Sequence, residues 1–451
     1  MPSLARLDHA HVWHPFTQMR DWLRRKPIVI LSGRGALLQD ARGREYLDAN
    51  SSIWTNLHGH NHPKLNAAIT RQLRKIAHSS ALGLANEPAS LLAEKLVEIA
   101  NDRLPIADAP RPRSGSGHRQ SPIGNRQLTK VFFSDDGATA MEVALKLAYE
   151  FARRARGLKR PRFLSLGGAY HGDTVGALSV GDDAFNGALF EPLRFPVLRA
   201  PGFDRPDCVK VAAELVRAHA EELAAVVVEP LVQGAAGMLT VAAEEFAQLG
   251  EACGQTGTLL VCDEVATGFG RTGALFASRR CGLRPDLLVL GKGLTGGYLP
   301  MSATVAADRV YRAFLGEDLG SRTLYHGHSY AGNALAAAVA LEHLKLLQRA
   351  DVLAGVAERS VWLRDLLHER IVPLPAVREV RLEGLMGGVD LEAGGHQRLG
   401  RRVCAAAVRR GVLLRPLGDT VVLVPPLTIT AAELDRLVSV LRAAIVEVTG
   451  A

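Results

Sequence analysis

Cysteine is scarce. The five cysteines, at 208, 253, 262, 281 and 404 of 451 residues, show neither a paired nor a metal-ligand spacing. This excludes a disulfide framework as the organising feature, implies no zinc or iron site, and leads us to expect reduced, mostly buried thiols. Long hydrophobic runs are missing as well: no stretch approaches the ~18 apolar residues of a membrane span, and MPSLARLDHAHVWH carries no apolar run of signal-peptide length. A cytoplasmic protein with no membrane partner is expected. Aromatic residues make up 5% of the chain, too few for the stacking platforms of a nucleic-acid binder. Acidic residues are outnumbered 46 to 54, giving a net charge of +8. Five of those positive charges (Arg111, Arg113, Arg119, Arg126 and Lys130) fall in APRPRSGSGHRQSPIGNRQLTK, residues 109–130, which contains no acid and leaves +3 for the rest. Rich in Pro, Ser and Gly and without apolar periodicity, this stretch reads as a solvated insertion, residues 101–129, and no nucleic-acid partner is expected.

What remains is ample for a folded enzyme. With 47% hydrophobic content, a chain this long can bury a large core and form two domains, or one domain with a subdomain. The apolar run Leu287–Leu290 breaks into Gly291-Lys292-Gly293, so one lysine stands at the mouth of a buried strand, where desolvation favours the free amine. A solvated cap is the plain alternative for such a lysine. Upstream, Leu259–Cys262 reads as a buried parallel strand with Asp263 and Glu264 at its C-terminal end, where open α/β sheets place their ligands. Asp263 either faces that ligand, caps the next helix, or pairs with Arg271.

Other strand ends fit the same plan. Val131–Phe133 leads through Asp136, Gly137 and Ala138 into a helix with Met141, Leu145, Ala148 and Phe151 on one face. The free N–H groups of that helix start suit a phosphate dianion. RFLSLGGAYHGDTVG ends in glycines followed by Tyr170 and His171, and AAVVVEP ends at Glu229. Residues 28–50 read as short strands with turns at Gly33–Gly35 and Arg42-Gly43, and His11–Met19 as a loop. Helices are expected over 63–77, with Leu65, Ile69, Leu73 and Ile76 on one face, and over 87–100. Thr430 to Glu433 is a capping box opening a last helix with Leu434, Leu437, Leu441, Ile445 and Val448 on one side. Trp54 is a core anchor or a pocket wall.

DEVATGFGRTG, GKGLTGGYLP, AYHGDTVGALS and VVVEPLVQGAAGM together resemble the class III pyridoxal-phosphate aminotransferases of fold type I. Within that class, HVWHPFTQM, SSIWTNLHGHNHPKLN, HGHSYAGN and RPLGDTVVLVPPL resemble the biotin-pathway branch that aminates 8-amino-7-oxononanoate. The resemblance implies an α/β fold with a mostly parallel central sheet. The large, cofactor-binding domain would span 63–334, and a small α/β domain would be built from 1–62 and 335–451. It also implies pyridoxal 5'-phosphate as cofactor. Gly137, Ala138, His328 and Ser329 would lie at the phosphate, Tyr170 on the ring face, and Asp263 at the ring nitrogen, keeping the ring able to accept electrons. Lys292 would hold the aldehyde at rest and afterwards carry the proton between substrate and cofactor. Trp54, Gly327, Phe16 and Tyr170 would line the substrate pocket, with Arg415 anchoring a carboxylate. The loop at Gly327–Ser329 would reach the neighbouring subunit, so a homodimer sharing its active sites is expected.

Some positions depart from the family pattern: Ala138 replaces a hydroxyl residue, Ile53 the first of two tryptophans, and His328-Ser329 a Pro-Thr pair. Phe16, found where users of S-adenosylmethionine commonly carry Tyr, leaves two amino donors open, S-adenosylmethionine and L-lysine. A class III enzyme acting on an ω-amino acid and a non-catalytic cofactor-binding protein are the other readings.

Overall fold

The computed structural model describes residues 3–102, 126–182, 187–318, 320–392, 394–395 and 397–450. Three short strands open the chain, β1 (Ile30–Arg34), β2 (Leu37–Asp40) and β3 (Glu45–Asp48). A large sheet begins with β4 (Leu128–Ser134) and continues through β5 (Arg162–Leu166), β6 (Leu198–Ala200) and β7 (Leu223–Val228). A two-residue pair, β8 (Val232–Gln233) and β9 (Leu239–Thr240), interrupts it before β10 (Leu259–Asp263), β11 (Leu287–Leu290) and β12 (Ser302–Ala307) complete it. The C-terminal region adds β13 (Val377–Glu383), β14 (Met386–Leu391), β15 (Val412–Leu413), β16 (Arg415–Leu417) and β17 (Thr420–Leu423).

The large sheet has seven strands in the order β4-β12-β11-β10-β7-β5-β6. Only β12 runs antiparallel to its neighbours. Every residue of β7, β10 and β11 is buried, which is why these strands read as unbroken apolar runs: a parallel sheet covered on both faces has no polar side. Because β4, β5, β7, β10 and β11 share one direction, their C-terminal ends open on the same edge, and the residues after each of them converge there.

The helix Gly137–Arg156 starts on a capping box of Asp136 and Thr139 and buries Met141, Leu145, Ala148 and Phe151 against the sheet. The last helix, Ala431–Thr449, is opened by the Thr430–Glu433 box and buries Leu434, Leu437, Leu441 and Ile445, while Val448 is half-buried. The expected helix 63–77 ends sooner, at Leu73, and buries Leu65, Ala68 and Gln72. The buried Gln72 amide donates to the carbonyl of Ile76 (2.9 Å), holding the chain in a turn that leaves Leu73 and Ile76 exposed. Helices Leu4–His11 and Met19–Leu23 flank the expected N-terminal loop, so residues 12–18 alone are irregular.

The two ends of the chain share a sheet. β15 pairs in parallel with β3, and the order is β1-β2-β3-β15. A second small sheet, β13-β14-β17-β16, follows it. Most of the stretch 101–129 lies outside the described residues. Its two ends meet where Asn101 exchanges hydrogen bonds with the backbone of Leu128 (3.1 and 2.7 Å). No described helix is long and apolar enough to cross a membrane, and the described residues contain no cluster of three metal-ligating side chains.

Candidate active site

Lys292 follows β11 directly and takes φ +40°, a left-handed conformation that costs a side-chain-bearing residue strain. Its Nζ lies 4.7 Å from the centre of the Trp54 ring. Burial lowers its pKa, as do Arg271 and Arg415, while Asp263 and Glu229 pull the other way. Trp54 is itself strained at φ +63°, in a kinked segment with Ser51 (+47°) and Ser52 (+64°). It is held by a hydrogen bond from its Nε1 to Asn50 Oδ1 (3.2 Å). Strained residues thus crowd around the amine, as they do where a surrounding structure enforces a functional geometry.

Asp263, buried at the end of β10, accepts hydrogen bonds from His171 Nδ1 (2.7 Å) and the Val265 amide (3.0 Å). His171 is buried too, and its Nε2 has no partner among the described residues. Pairing of Asp263 with Arg271 is ruled out, because the buried Arg271 guanidinium donates instead to the carbonyls of Pro425 and Asn56. Its burial pushes its pKa down to about 9. Glu264 turns away from the site and accepts from Thr267 Oγ1 (2.7 Å) and the amides of Ala277 (3.0 Å) and Ser278 (2.6 Å), so the two adjacent acids do unrelated work.

Glu229, after β7, caps no helix. Its two carboxylate oxygens accept from the amides of Tyr170 (3.1 Å) and Gly234 (3.3 Å), fastening the loop after β5 to the one after β7. Burial pushes its pKa up to about 7, with Asp263 adding to the rise and His171 opposing it. The half-buried Tyr170 hydroxyl donates to Asp173 Oδ2 (2.8 Å), and burial raises its pKa.

Gly137 and Ala138 form the first turn of their helix, where amides have no partner within the helix. Two glycines let neighbouring loops close on that turn. A Cβ on Gly137 would stand 2.6 Å from Val265 Cγ1, and one on Gly172, at φ +125°, would stand 2.3 Å from Ala138 Cβ. The loops after β4, β5 and β10 therefore pack closely, with Val265 and Ala138 filling the space the glycines leave. Gly291, beside Lys292, packs on the same Gly137.

At the entrance, the Arg415 guanidinium lies 5.8 Å from the centre of the Phe16 ring, which is exposed and held at φ +50°. Gly327 and Ser329 are exposed and His328 is half-buried. They sit at the surface beside the helix start, with His328 Nδ1 3.4 Å from Asp135 Oδ2 and the Ser329 carbonyl accepting from His78 Nε2 (2.7 Å). The His171–Asp263 contact spans 92 residues of sequence and had no signal beyond the position of His171 after a strand end.

An amine and a carboxylate on neighbouring strand ends, facing a helix start shaped for an anion, define a pyridoxal-phosphate-dependent transferase of fold type I. The comparisons narrow this. The family described as "Aminotransferase class-III" matches residues 19–445, and the chain belongs to it. It is 44% identical to the adenosylmethionine-8-amino-7-oxononanoate aminotransferase of Nitratidesulfovibrio vulgaris, over 99% of this chain and 82% of that one. The crystal structure of the enzyme of that name from Methanocaldococcus jannaschii superposes with a TM-score of 0.89 at 38% identity, covering 99% of each chain. An amine transaminase from an uncultivated Pseudomonas species, solved with pyridoxal phosphate bound, gives 0.85 at 31% identity, covering 97% of this chain and 98% of that one. The cofactor of this class is pyridoxal 5'-phosphate. The residues here fit it: a partly desolvated lysine, a buried carboxylate held by a histidine, and a helix start whose first amides have no partner within the helix.

Proposed function

We propose that this chain transfers an amino group to 8-amino-7-oxononanoate, giving 7,8-diaminononanoate in biotin biosynthesis, with S-adenosylmethionine as donor. The observation that carries the reading is the meeting of Lys292, Trp54 and Asp263 on one sheet edge with Arg415 at its entrance. The names and near-complete coverage of the relatives support the acceptor.

When bound, pyridoxal phosphate supplies an electron sink that takes the amino group from the donor and passes it to the ketone. Asp263, oriented by His171, would hold the ring nitrogen in its protonated form. Lys292 Nζ would hold the cofactor at rest and, once freed, would move the proton at the substrate carbon. Burial lowers its pKa and so favours the free amine that this task needs. The amides at Gly137 and Ala138 would hold the phosphate. Tyr170 would cover the ring face, Trp54 and Phe16 would line the pocket, and Arg415 would anchor a substrate carboxylate.

Ser329, Gly327 and His328 serve the active site of a second copy, which makes a homodimer the working unit. The exposure of Gly327 and Ser329 supports this. We also read the chain as a large domain, 63–334, with a small one from 1–62 and 335–451, working in the cytoplasm.

One observation favours a second reading, with L-lysine as donor: the ring facing Arg415 is Phe16, which offers no hydroxyl to a donor. Purified protein given 8-amino-7-oxononanoate and either S-adenosylmethionine or lysine decides between them through the yield of 7,8-diaminononanoate. Product formed with neither donor, but with glutamate or another amine, overturns both readings.

A further inference from the structure

Beneath the lysine turn lies a pair of buried histidines that the reaction does not use. His58 Nε2 is 2.8 Å from His343 Nδ1, and both rings are buried. The bond needs one ring to donate and the other to accept. Since burial disfavours charge on both, lowering His58 to about 3 and His343 well below its ordinary value, two neutral rings of complementary tautomer form it.

The pair sits under the turn Lys292–Thr295. A Cβ on Gly296 would lie 3.4 Å from the His58 ring and 3.5 Å from His343 Nδ1, and one on Gly293 would lie 2.8 Å from Leu57 Cδ1. The Leu57 amide donates to the Gly296 carbonyl (3.3 Å), so residues 54–58 form the floor of the turn, with Trp54 over the amine. Phe269 meets the His343 ring edge-on at 5.4 Å and also lies 3.5 Å from the Gly293 Cβ position. His343 belongs to the helix Ala334–Leu347, which follows the loop carrying Ser329.

We infer that the His58–His343 hydrogen bond is a positioning element for Lys292, tying the floor of its turn to the helix Ala334–Leu347. The inference deepens the reading of Lys292 as the reacting amine and rests on it. A purely apolar filling would occupy the same space without fixing the rotation of either ring. The hydrogen bond fixes both, and through Leu57 and Trp54 it fixes where Nζ points.

The test replaces both rings. His343→Leu alone leaves His58 without a partner, whereas His58→Leu with His343→Leu removes donor and acceptor together and leaves no unpaired group. For the double variant we expect a melting temperature close to wild type, kcat for 7,8-diaminononanoate formation lowered about tenfold, and KM unchanged within about twofold, as for a displaced reacting group. A second readout needs no substrate: reductive methylation of Lys292 in full-length protein stripped of cofactor, followed by peptide mass against pH. Asp263, Glu229, Arg271 and Arg415 stay in place, so the labelling midpoint rises toward that of an ordinary lysine only if the floor has loosened. A folded double variant with wild-type kcat and labelling midpoint overturns the inference. If the double variant does not fold, His58→Phe with His343→Leu, which refills the ring space and likewise leaves no unpaired group, is judged on the same two readouts. A raised midpoint in variants of a protein whose wild type forms no 7,8-diaminononanoate keeps the positioning role and removes the substrate assignment.

Discussion

Glu229 gives the sharpest quantitative test of the site. Its carboxyl, ordinarily near 4.5, is pushed up to about 7 by burial behind the loops of Tyr170 and Gly234. Below pH 4.5 the folded and unfolded chains both hold this proton, and it contributes nothing to stability. As pH rises from 4.5 to 7 the unfolded chain releases the proton while the folded one retains it, so the native state loses stability throughout that window. At about 1.36 kcal/mol per pH unit, the loss is about 3 kcal/mol once pH exceeds 7.

Glu229→Gln abolishes the titration. It carries its own pH-independent cost, because its amide nitrogen must face either the Tyr170 or the Gly234 N–H, a clash worth about 1–3 kcal/mol. From pH 5 to pH 8 the stability difference is therefore expected to shift by about 2.5 kcal/mol in favour of the variant, reversing the order wherever the amide clash costs less than the full loss of about 3 kcal/mol in wild type. Urea unfolding of both proteins at half-unit steps from pH 4.5 to 8 measures this directly. Parallel stability curves would refute the reasoning, since they would mean that Glu229 ionises in the native protein as freely as in water.

Three further outcomes are expected. Gly172→Ala must fit a Cβ 2.3 Å from Ala138 at φ +125°, so it should cost at least about 2 kcal/mol and weaken pyridoxal phosphate binding in a fluorescence titration. Arg381→Met removes one of the two guanidinium partners of the buried Asp390, which accepts from Arg381 at 2.7 Å and keeps Arg378 (2.9 Å) and Thr420 (2.5 Å), and should lose about 2 kcal/mol by urea unfolding. Because Arg381, Thr420 and Arg378 hold the Asp390 carboxyl well below 3.8, wild type keeps this stabilisation above that pH and loses it as pH falls further. Lys292→Ala should abolish both turnover and the visible absorbance of the bound cofactor, and retained absorbance would point to a different anchoring amine.

Strand ends were the most legible part of the chain. Fully buried parallel strands write themselves as unbroken apolar runs, so Asp263 and Lys292 stood out as the first polar residues beyond two such runs. The capping boxes at Asp136 and Thr430 were readable for a similar reason, since each is a local exchange of hydrogen bonds over three residues. Only the Thr430 box was anticipated as such. The helix after Pro63 was over-extended because apolar spacing continues through Leu73 and Ile76, while the interaction that stops it belongs to a glutamine side chain. Contacts between distant segments left no trace. Nothing near His171 points to Asp263, nothing near His58 points to His343, and the burial that raises Glu229 is supplied by loops folded over it.

The pairing of β3 with β15 has a consequence for how the molecule is made. A ribosome releases the first fifty residues long before Val412 and Leu413 are synthesised, so the amino-terminal sheet must wait, one edge unpaired, for its last strand. The strand ends carrying Asp263 and Lys292 emerge within that interval. Trp54, on the waiting segment, can be locked over the amine only when translation is nearly finished, so a nascent chain interrupted before residue 412 should hold a formed central sheet and an unfinished pocket.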